Sequence, residues 1–247
     1  MSLRIRYLGV SGFEIVTGAG TRVVVDPFLD GSEAKGIPPS PVTLDDLDGT
    51  HAVAVSHGAW DHLGQAVEIT RRSGAVLCCG VDVRVHAMKD GIADESIRKM
   101  IPGTTFTVRD ISIRALPASH VSFFSSHGEH LSAQPLSFLI RAEPGIAVYH
   151  SGDTSLFGDL KLFGELYRPD VALLCVGGTE DGLAPLPPDE AAIAADWLNA
   201  RVVVPMHFRP GDPEPKEFRE RLGERRPDIA VRMLEPGEDL TVDEGVT

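Results

Sequence analysis

The sequence holds nine histidines, and several stand just behind a run that reads as a strand. The densest block is Ser56-His57-Gly58-Ala59-Trp60-Asp61-His62-Leu63-Gly64. His57, Asp61 and His62 lie close together there, directly after the apolar run Ala52–Val55. Imidazole nitrogens suit zinc and iron, and an adjacent carboxylate offsets the charge of a cation. Ser119-His120, His150-Ser151-Gly152-Asp153-Thr154 and Pro205-Met206-His207 follow further strand-like runs. Loops at strand ends carry function because a rigid scaffold holds them. A fold that brings strand ends to one edge would bring these side chains together, and the chemistry they share is metal ligation.

The elements that must position them can be read from pattern. Residues 4–7, 13–16 and 22–25 are short runs rich in β-branched residues, divided by glycines, and predict an antiparallel meander. Residues 30–50 form a long loop punctuated by Pro38, Pro39 and Pro41. A strand at Ala52–Val55 leads into the histidine block, then a helix over 65–72 is stopped by Gly74. A strand over 75–79, a helix over 82–89 and strands over 105–109 and 111–116 follow. Residues 136–141 and 146–149 predict a hairpin across Glu143-Pro144-Gly145. After Asp153 the rhythm becomes helix and strand. Helices are expected over 160–166, 189–199 (capped by Asp189) and 215–222, and strands over 171–175, 202–204 and 229–234. Two halves, each a sheet followed by helices, imply two packed sheets with helices outside.

Composition narrows the function. The 247 residues carry 23 basic and 36 acidic side chains, a formal charge of −13. That balance argues against nucleic acid as a partner, because phosphate binding needs a basic face. A small anionic substrate remains compatible, since a bound metal inverts the local field. No apolar run approaches a membrane span and no signal peptide opens the chain, so a cytoplasmic protein is expected. Cys78, Cys79 and Cys175 sit in apolar runs and read as core residues. Gly177-Gly178-Thr179 lacks the lysine and spacing of a nucleotide-binding loop, and the proline-rich loop over 181–188 reads as a rim of the cleft.

Taken together, Tyr7-Leu8-Gly9, Val25-Asp26-Pro27-Phe28, the His57 to His62 block, Pro117-Ala118-Ser119-His120, His150-Ser151-Gly152-Asp153-Thr154, Gly164-Glu165-Leu166-Tyr167-Arg168-Pro169-Asp170 and Pro205-Met206-His207 carry a resemblance over nearly the whole chain. The sequence resembles the metallo-β-lactamase superfamily, and within it the predicted metal-dependent hydrolases related to L-ascorbate-6-phosphate lactonase. The resemblance implies one domain over residues 1–247, an α/β four-layer αββα sandwich with the metal site at one edge between the sheets. It also implies ligand roles for His57, Asp61, His62, His120, Asp153 and His207. On that pattern His57, His120 and Asp153 serve a first site, and Asp61, His62, Asp153 and His207 a second. Asp153 would hold metal or orient water, and Asp61 would be a ligand or a proton acceptor.

The chain departs from the family pattern at Ala59, where the family has a histidine, and at Val10, where close relatives often carry one. Three readings of Ala59 stay open: one metal in the second site, two metals with another group completing the first, or an empty first site and weak catalysis. His127 and His130, in a polar loop after His120, are candidates to complete the site, with solvated loop residues as the alternative. Asp26 reads either as an acceptor that orients a ligand histidine or as a turn residue. Arg209 reads as an anion contact or a surface charge. His150 reads as a ligand or as a packing or supporting residue, Trp60 as pocket wall or packing, and His51 and His86 as residues without partners. The expected function is hydrolysis of a small ester, lactone or phosphoester with one or two divalent metals per chain, zinc, manganese or iron. The alternative is a metal- or ligand-binding protein derived from such a hydrolase. The expected partner is a small molecule, with neither nucleic acid nor membrane, and a homo-oligomer stays open.

Overall fold

Two seven-stranded sheets, each antiparallel along one half and parallel along the other, form the centre of the molecule. The computed structural model describes residues 2–142, 145–177 and 186–243. The first sheet takes β1 (Ser2–Gly9), β2 (Gly12–Thr17), β3 (Arg22–Val25), β4 (Ala52–Val55), β5 (Val76–Cys79) and β6 (Ile97–Lys99). Short turns join β1 to β3 as the expected antiparallel meander. Strands β3 to β6 are parallel, which requires crossovers. The long loop after β3 is the first crossover. The short helix α1 (Trp60–Leu63) and α2 (Ala66–Ser73) fill the second, and α3 (Val81–Lys89) the third.

The second sheet repeats the plan. Strands β7 (Thr105–Val108) and β8 (Ile111–Pro117) are followed by a separate hairpin of β9 (Ser122–Ser126) and β10 (Glu129–Ala133). Strands β11 (Leu136–Ala142) and β12 (Ile146–His150) then complete the antiparallel half. Helix α4 (Asp159–Tyr167) leads to β13 (Val171–Cys175), α5 (Pro188–Leu198) to β14 (Val202–Met206), and α6 (Glu214–Arg225) to β15 (Ala230–Val231), all in parallel. The last strand, β16 (Asp239–Asp243), crosses back to pair with β1, with Leu240 opposite Ile5.

The residue alternation of the strands builds the layers. Val23, Val25, Ala52, Ala54 and Cys78 point into the core between the sheets, beside Phe138, Ile140 and Ile113. Val24, Val53, Val55, Leu77 and Cys79 point the other way, against Ala66, Ile69, Val83 and Ala87 of α2 and α3. Successive side chains leave opposite faces of a strand, so a strand buried on both sides reads as a continuous apolar run. The expected two sheets flanked by helices are therefore present. No helix among the described residues is long and apolar enough to cross a membrane.

Several local expectations need correction. The strand expected over 229–234 pairs only at Ala230–Val231, where β14 offers an edge, and β16 went unread because its sequence alternates acid and apolar residues too briefly. The segment expected as a polar loop after His120 is the β9–β10 hairpin, closed by His127 and Gly128, both at positive φ (50° and 79°). That pair of positive φ values is what a two-residue hairpin turn needs to match strand twist. Asp189 lies inside the first turn of α5, behind Pro187 at the cap position, and caps nothing. His51 and His86 have partners: His51 Nδ1 accepts from the Arg22 N–H at 3.0 Å, and His86 Nδ1 lies 2.8 Å from Ser126 Oγ. Glu143 and Pro144 of the expected turn, Gly178-Thr179, and 181–185 of the expected rim lie outside the described residues.

Helix α4 packs on α5 through Gly164, where an added Cβ would lie 2.0 Å from the Trp197 carbonyl oxygen. Backbone cannot yield there as a side chain would. Gly164→Ala is expected to cost about 1–3 kcal/mol, the usual penalty of overpacking. A lower urea midpoint with an unchanged slope checks it.

Candidate metal centre

Each candidate ligand sits just beyond the carboxyl end of a strand. His57 follows β4, His120 follows β8, Asp153 follows β12 and His207 follows β14, while Asp61 and His62 lie on α1. Ligands collect at this edge in open parallel sheets because crossover loops diverge there. Ligand atoms of His57, His62 and Asp153 lie within 4.8 Å of one another, as do those of Asp61, His62 and His207. Asp153 Oδ1 is 3.3 Å from His62 Nε2, and its Oδ2 is 3.2 Å from His207 Nε2 and 3.9 Å from His120 Nε2. His207 Nε2 is also 3.4 Å from Asp61 Oδ2. The His120 ring stands edge-on to His57 with centroids 5.2 Å apart.

Asp26 fixes which nitrogens face this space. It is fully buried and its carboxylate accepts the Ser56 N–H (2.7 Å), the Ser56 hydroxyl (2.6 Å) and the His62 Nδ1–H (2.8 Å). With its proton given to Asp26, the Ser56 oxygen accepts from His57 Nδ1 at 3.0 Å. Both imidazoles thus carry their proton on Nδ1 and turn an Nε2 lone pair inward. His57 Nε2, His62 Nε2, His207 Nε2 and Asp153 Oδ1 are all buried without a hydrogen-bond partner. Buried polar atoms are rarely left unpaired, and four acceptor-capable atoms aimed at one space fit a cation.

Charge points the same way. Burial alone would raise the Asp61 carboxyl, but the adjacent His207 and His62 imidazoles outweigh it and hold it at about 2. Asp153 is likewise depressed, burial being overcome by His207 and His62. Burial, then the neighbouring His62, pushes His57 down to about 3, so it is neutral and ready to donate a lone pair. His62 is raised despite its burial, because Asp153 and Asp26 flank it.

The backbone is strained at the same place. Val10, Asp26 and His207 all have positive φ, at 53°, 45° and 66°. Such conformations cost about 1–3 kcal/mol each and persist where surroundings enforce them. Here the Val10 carbonyl accepts both the His207 N–H (2.7 Å) and the Tyr7 hydroxyl (3.0 Å). Val10 and Ala59 line one cavity of about 630 Å³ with His57, Asp61, His120, Asp153 and His207. Trp60 and Arg209 line it too.

The remaining candidates lie elsewhere. His127 Nε2 meets Asp90 Oδ1 at 2.7 Å, and His130 bonds Ser125 and stacks on Phe123, so neither joins the cluster. His150 is buried, with Nε2–H donating to the Ser11 carbonyl and Nδ1 accepting from Gly152, which is a supporting role. Ser56 was missed because nothing marks a serine as a relay until Asp26 is seen behind it. Ser122 and Asp82 were missed as well. The Ser122 hydroxyl donates to Asp82 and accepts the Gly58 N–H at 3.0 Å, which ties the hairpin to the ligand loop.

Asp26→Asn preserves shape but offers His62 Nδ1 an N–H in place of an acceptor. The ring then carries its proton on Nε2, aimed into the site. Metal affinity is expected to fall about 10- to 100-fold with the fold retained. Competition of the variant and parent against a fluorescent zinc chelator checks it.

Comparisons with known proteins give the family. Residues 21–208 match the β-lactamase superfamily domain. A UPF0173 metal-dependent hydrolase of Methanopyrus kandleri is 38% identical over 240 residues, covering 96% of this chain and 98% of its own. Its counterpart in Rubrobacter xylanophilus is 34% identical over 244 residues, covering 96% of each. The structure of a metallo hydrolase from the hyperthermophilic archaeon Ignicoccus hospitalis matches with a TM-score of 0.80 at 30% identity, over 98% of this chain and 99% of that one. Isothiocyanate hydrolase from Delia radicum gut bacteria shares the fold, with a TM-score of 0.71 at 18% identity over 97% of this chain and 98% of its own. The chain belongs to the UPF0173 metal-dependent hydrolases of the metallo-β-lactamase superfamily.

Proposed function

We propose that this hydrolase holds its divalent cation on Asp61, His62, Asp153 and His207, with His57 and His120 beside it, and cleaves a small ester or lactone with an apolar body. The observation that carries this reading is the convergence of His57 Nε2, His62 Nε2, His207 Nε2 and Asp153 Oδ1, all buried and unpaired. A bound divalent cation supplies acidified water and polarises a carbonyl oxygen. The protein's own part is to hold and to exclude. Asp26 and Ser56 keep the two imidazoles in the ligating tautomer. A carboxylate held at about 2 is a poor proton acceptor near neutrality, which favours Asp61 as a ligand over a general base.

The cavity supports the substrate class. Val10, Ile37, Trp60, Val121, Phe123 and Phe124 line it and favour an apolar acyl or ring portion over a highly charged phosphoester. Lys35 and Arg209 add positive charge for a single anionic substituent. The resemblance to L-ascorbate-6-phosphate lactonase makes lactones the first compounds to try. Ala59 puts a methyl group where a ligand would stand, so the metal is expected mainly on the Asp61, His62, Asp153 and His207 side. Imidazole with carboxylate suits zinc, iron or manganese.

The centre is expected to account for about one metal per chain by plasma mass spectrometry, read as the difference between the parent and His62→Ala, and stripping the metal should abolish hydrolysis of aryl esters and lactones. His62→Ala and Asp153→Asn should lower kcat/KM by at least about a hundredfold. Stoichiometric metal without turnover across esters, lactones and phosphodiesters would instead favour a weakened, ligand-binding descendant. Phe123→Ala, at a 59% exposed position, should raise KM for apolar esters severalfold while leaving kcat near the parent value.

A further inference from the structure

A second group of ligand-type side chains lies at the far end of α3. His86 and Asp90 are four residues apart at the helix end and share one face. His86 Nε2 is 3.3 Å from Asp90 Oδ2, and His127, on the hairpin turn opposite, brings its Nε2 to 2.7 Å from Asp90 Oδ1. One ligand atom from each lies within 4.8 Å of the other two. Each carboxylate oxygen of Asp90 thus faces a separate imidazole.

The spacing favours an ion. At 3.3 Å the His86 pair is long for a hydrogen bond. It matches the separation of about 3.3 Å between two ligands on a tetrahedral zinc with bonds of about 2.0–2.1 Å. His86 is preset, because Nδ1 meets the buried Ser126 hydroxyl at 2.8 Å and the ring stands edge-on to Phe124 at 5.7 Å. That leaves Nε2 aimed at Asp90. His127 is 43% exposed on its turn, free to withdraw the few tenths of an ångström that ligation needs.

We propose that His86, Asp90 and His127 form a second divalent-cation site, suited to zinc with water as fourth ligand, which fastens the β9–β10 hairpin to α3. The consequence reaches the cavity. The same hairpin supplies Phe123, Phe124 and Ser125 to the cavity wall, and His86 itself lines it. Phe124 lies over Gly58, where an added Cβ would fall 2.0 Å from its ring. The hairpin is already clasped to α3 by Ser122 on Asp82 and by Lys89 on Glu129. An ion at the turn adds to these clasps and to the His86–Ser126 contact, and holds the wall against the ligand loop.

The test is zinc titration of the metal-stripped full chain, followed by ¹⁵N NMR of the histidine rings and by bound-zinc count. His86 and His127 are expected to shift to metal-bound values. His127→Asn should bind about one zinc fewer per chain with the His57, His62 and His207 rings unaffected. Asparagine tolerates the positive φ of the turn, so the fold is retained. Amide exchange over residues 122–133 should slow with zinc in the parent and not in the variant. Unchanged His86 and His127 rings at saturating zinc, with equal zinc counts in parent and variant, would overturn the proposal and leave a hydrogen-bonded latch. Failure of the principal centre would register at His57, His62 and His207 instead, so the two sites stand or fall separately.

Discussion

One buried carboxylate organises the metal centre. Asp26 is removed from water at the end of β3, held at positive φ, and stabilised by three donated hydrogen bonds. Leaving such a charge unpaired would cost several kcal/mol. The donors therefore stay in place: the Ser56 backbone, the Ser56 hydroxyl and the His62 ring. That requirement aligns the end of β4 with the end of β3 and turns α1 so that His62 faces inward. Through Ser56 it also sets His57. The inward nitrogens then have no protein partner, and the centre is built to be completed by a cation.

The same logic explains why strain collects here. Val10, a β-branched residue at positive φ, turns its carbonyl to the His207 N–H and the Tyr7 hydroxyl. His207 is itself at positive φ. The three strained positions link the first sheet to the second at the edge where their ligands meet. A relaxed backbone at any of them would aim a side chain or carbonyl elsewhere. The stability comes from the apolar core between the sheets, where Phe13, Phe138 and Ile15 are fully buried, each burial contributing about 1.5–3 kcal/mol.

The hairpin β9–β10 stands apart in this fold. It belongs to neither large sheet and meets the rest of the molecule through polar clasps and the Phe124 ring. An element fastened by a few side-chain contacts opens more readily than one buried in a core. Its aromatic residues shape the space above the ligands, so the chemistry of the centre and the selectivity of the cavity rest on different parts of the chain.

Local sequence determined much of this. The apolar runs at Ala52–Val55 and Val171–Cys175 can only be doubly buried strands, and histidines and aspartates placed just after such runs must emerge at a sheet edge. That placement, together with the family resemblance, marks His57, Asp61, His62, His120, Asp153 and His207 as candidate ligands in the sequence. Contacts between residues far apart in the chain were not legible there. Nothing near Ser56 announces that Asp26, thirty residues earlier, stands behind it. Nothing around His127 announces Asp90, and the return of β16 to β1 spans almost the whole chain. Periodicity and turn chemistry act over a few residues, so sequence determined the elements and the ligand types. Tautomers, strain, and the partner of each buried charge arise from pairings that only packing brings together, and these the tertiary structure decided.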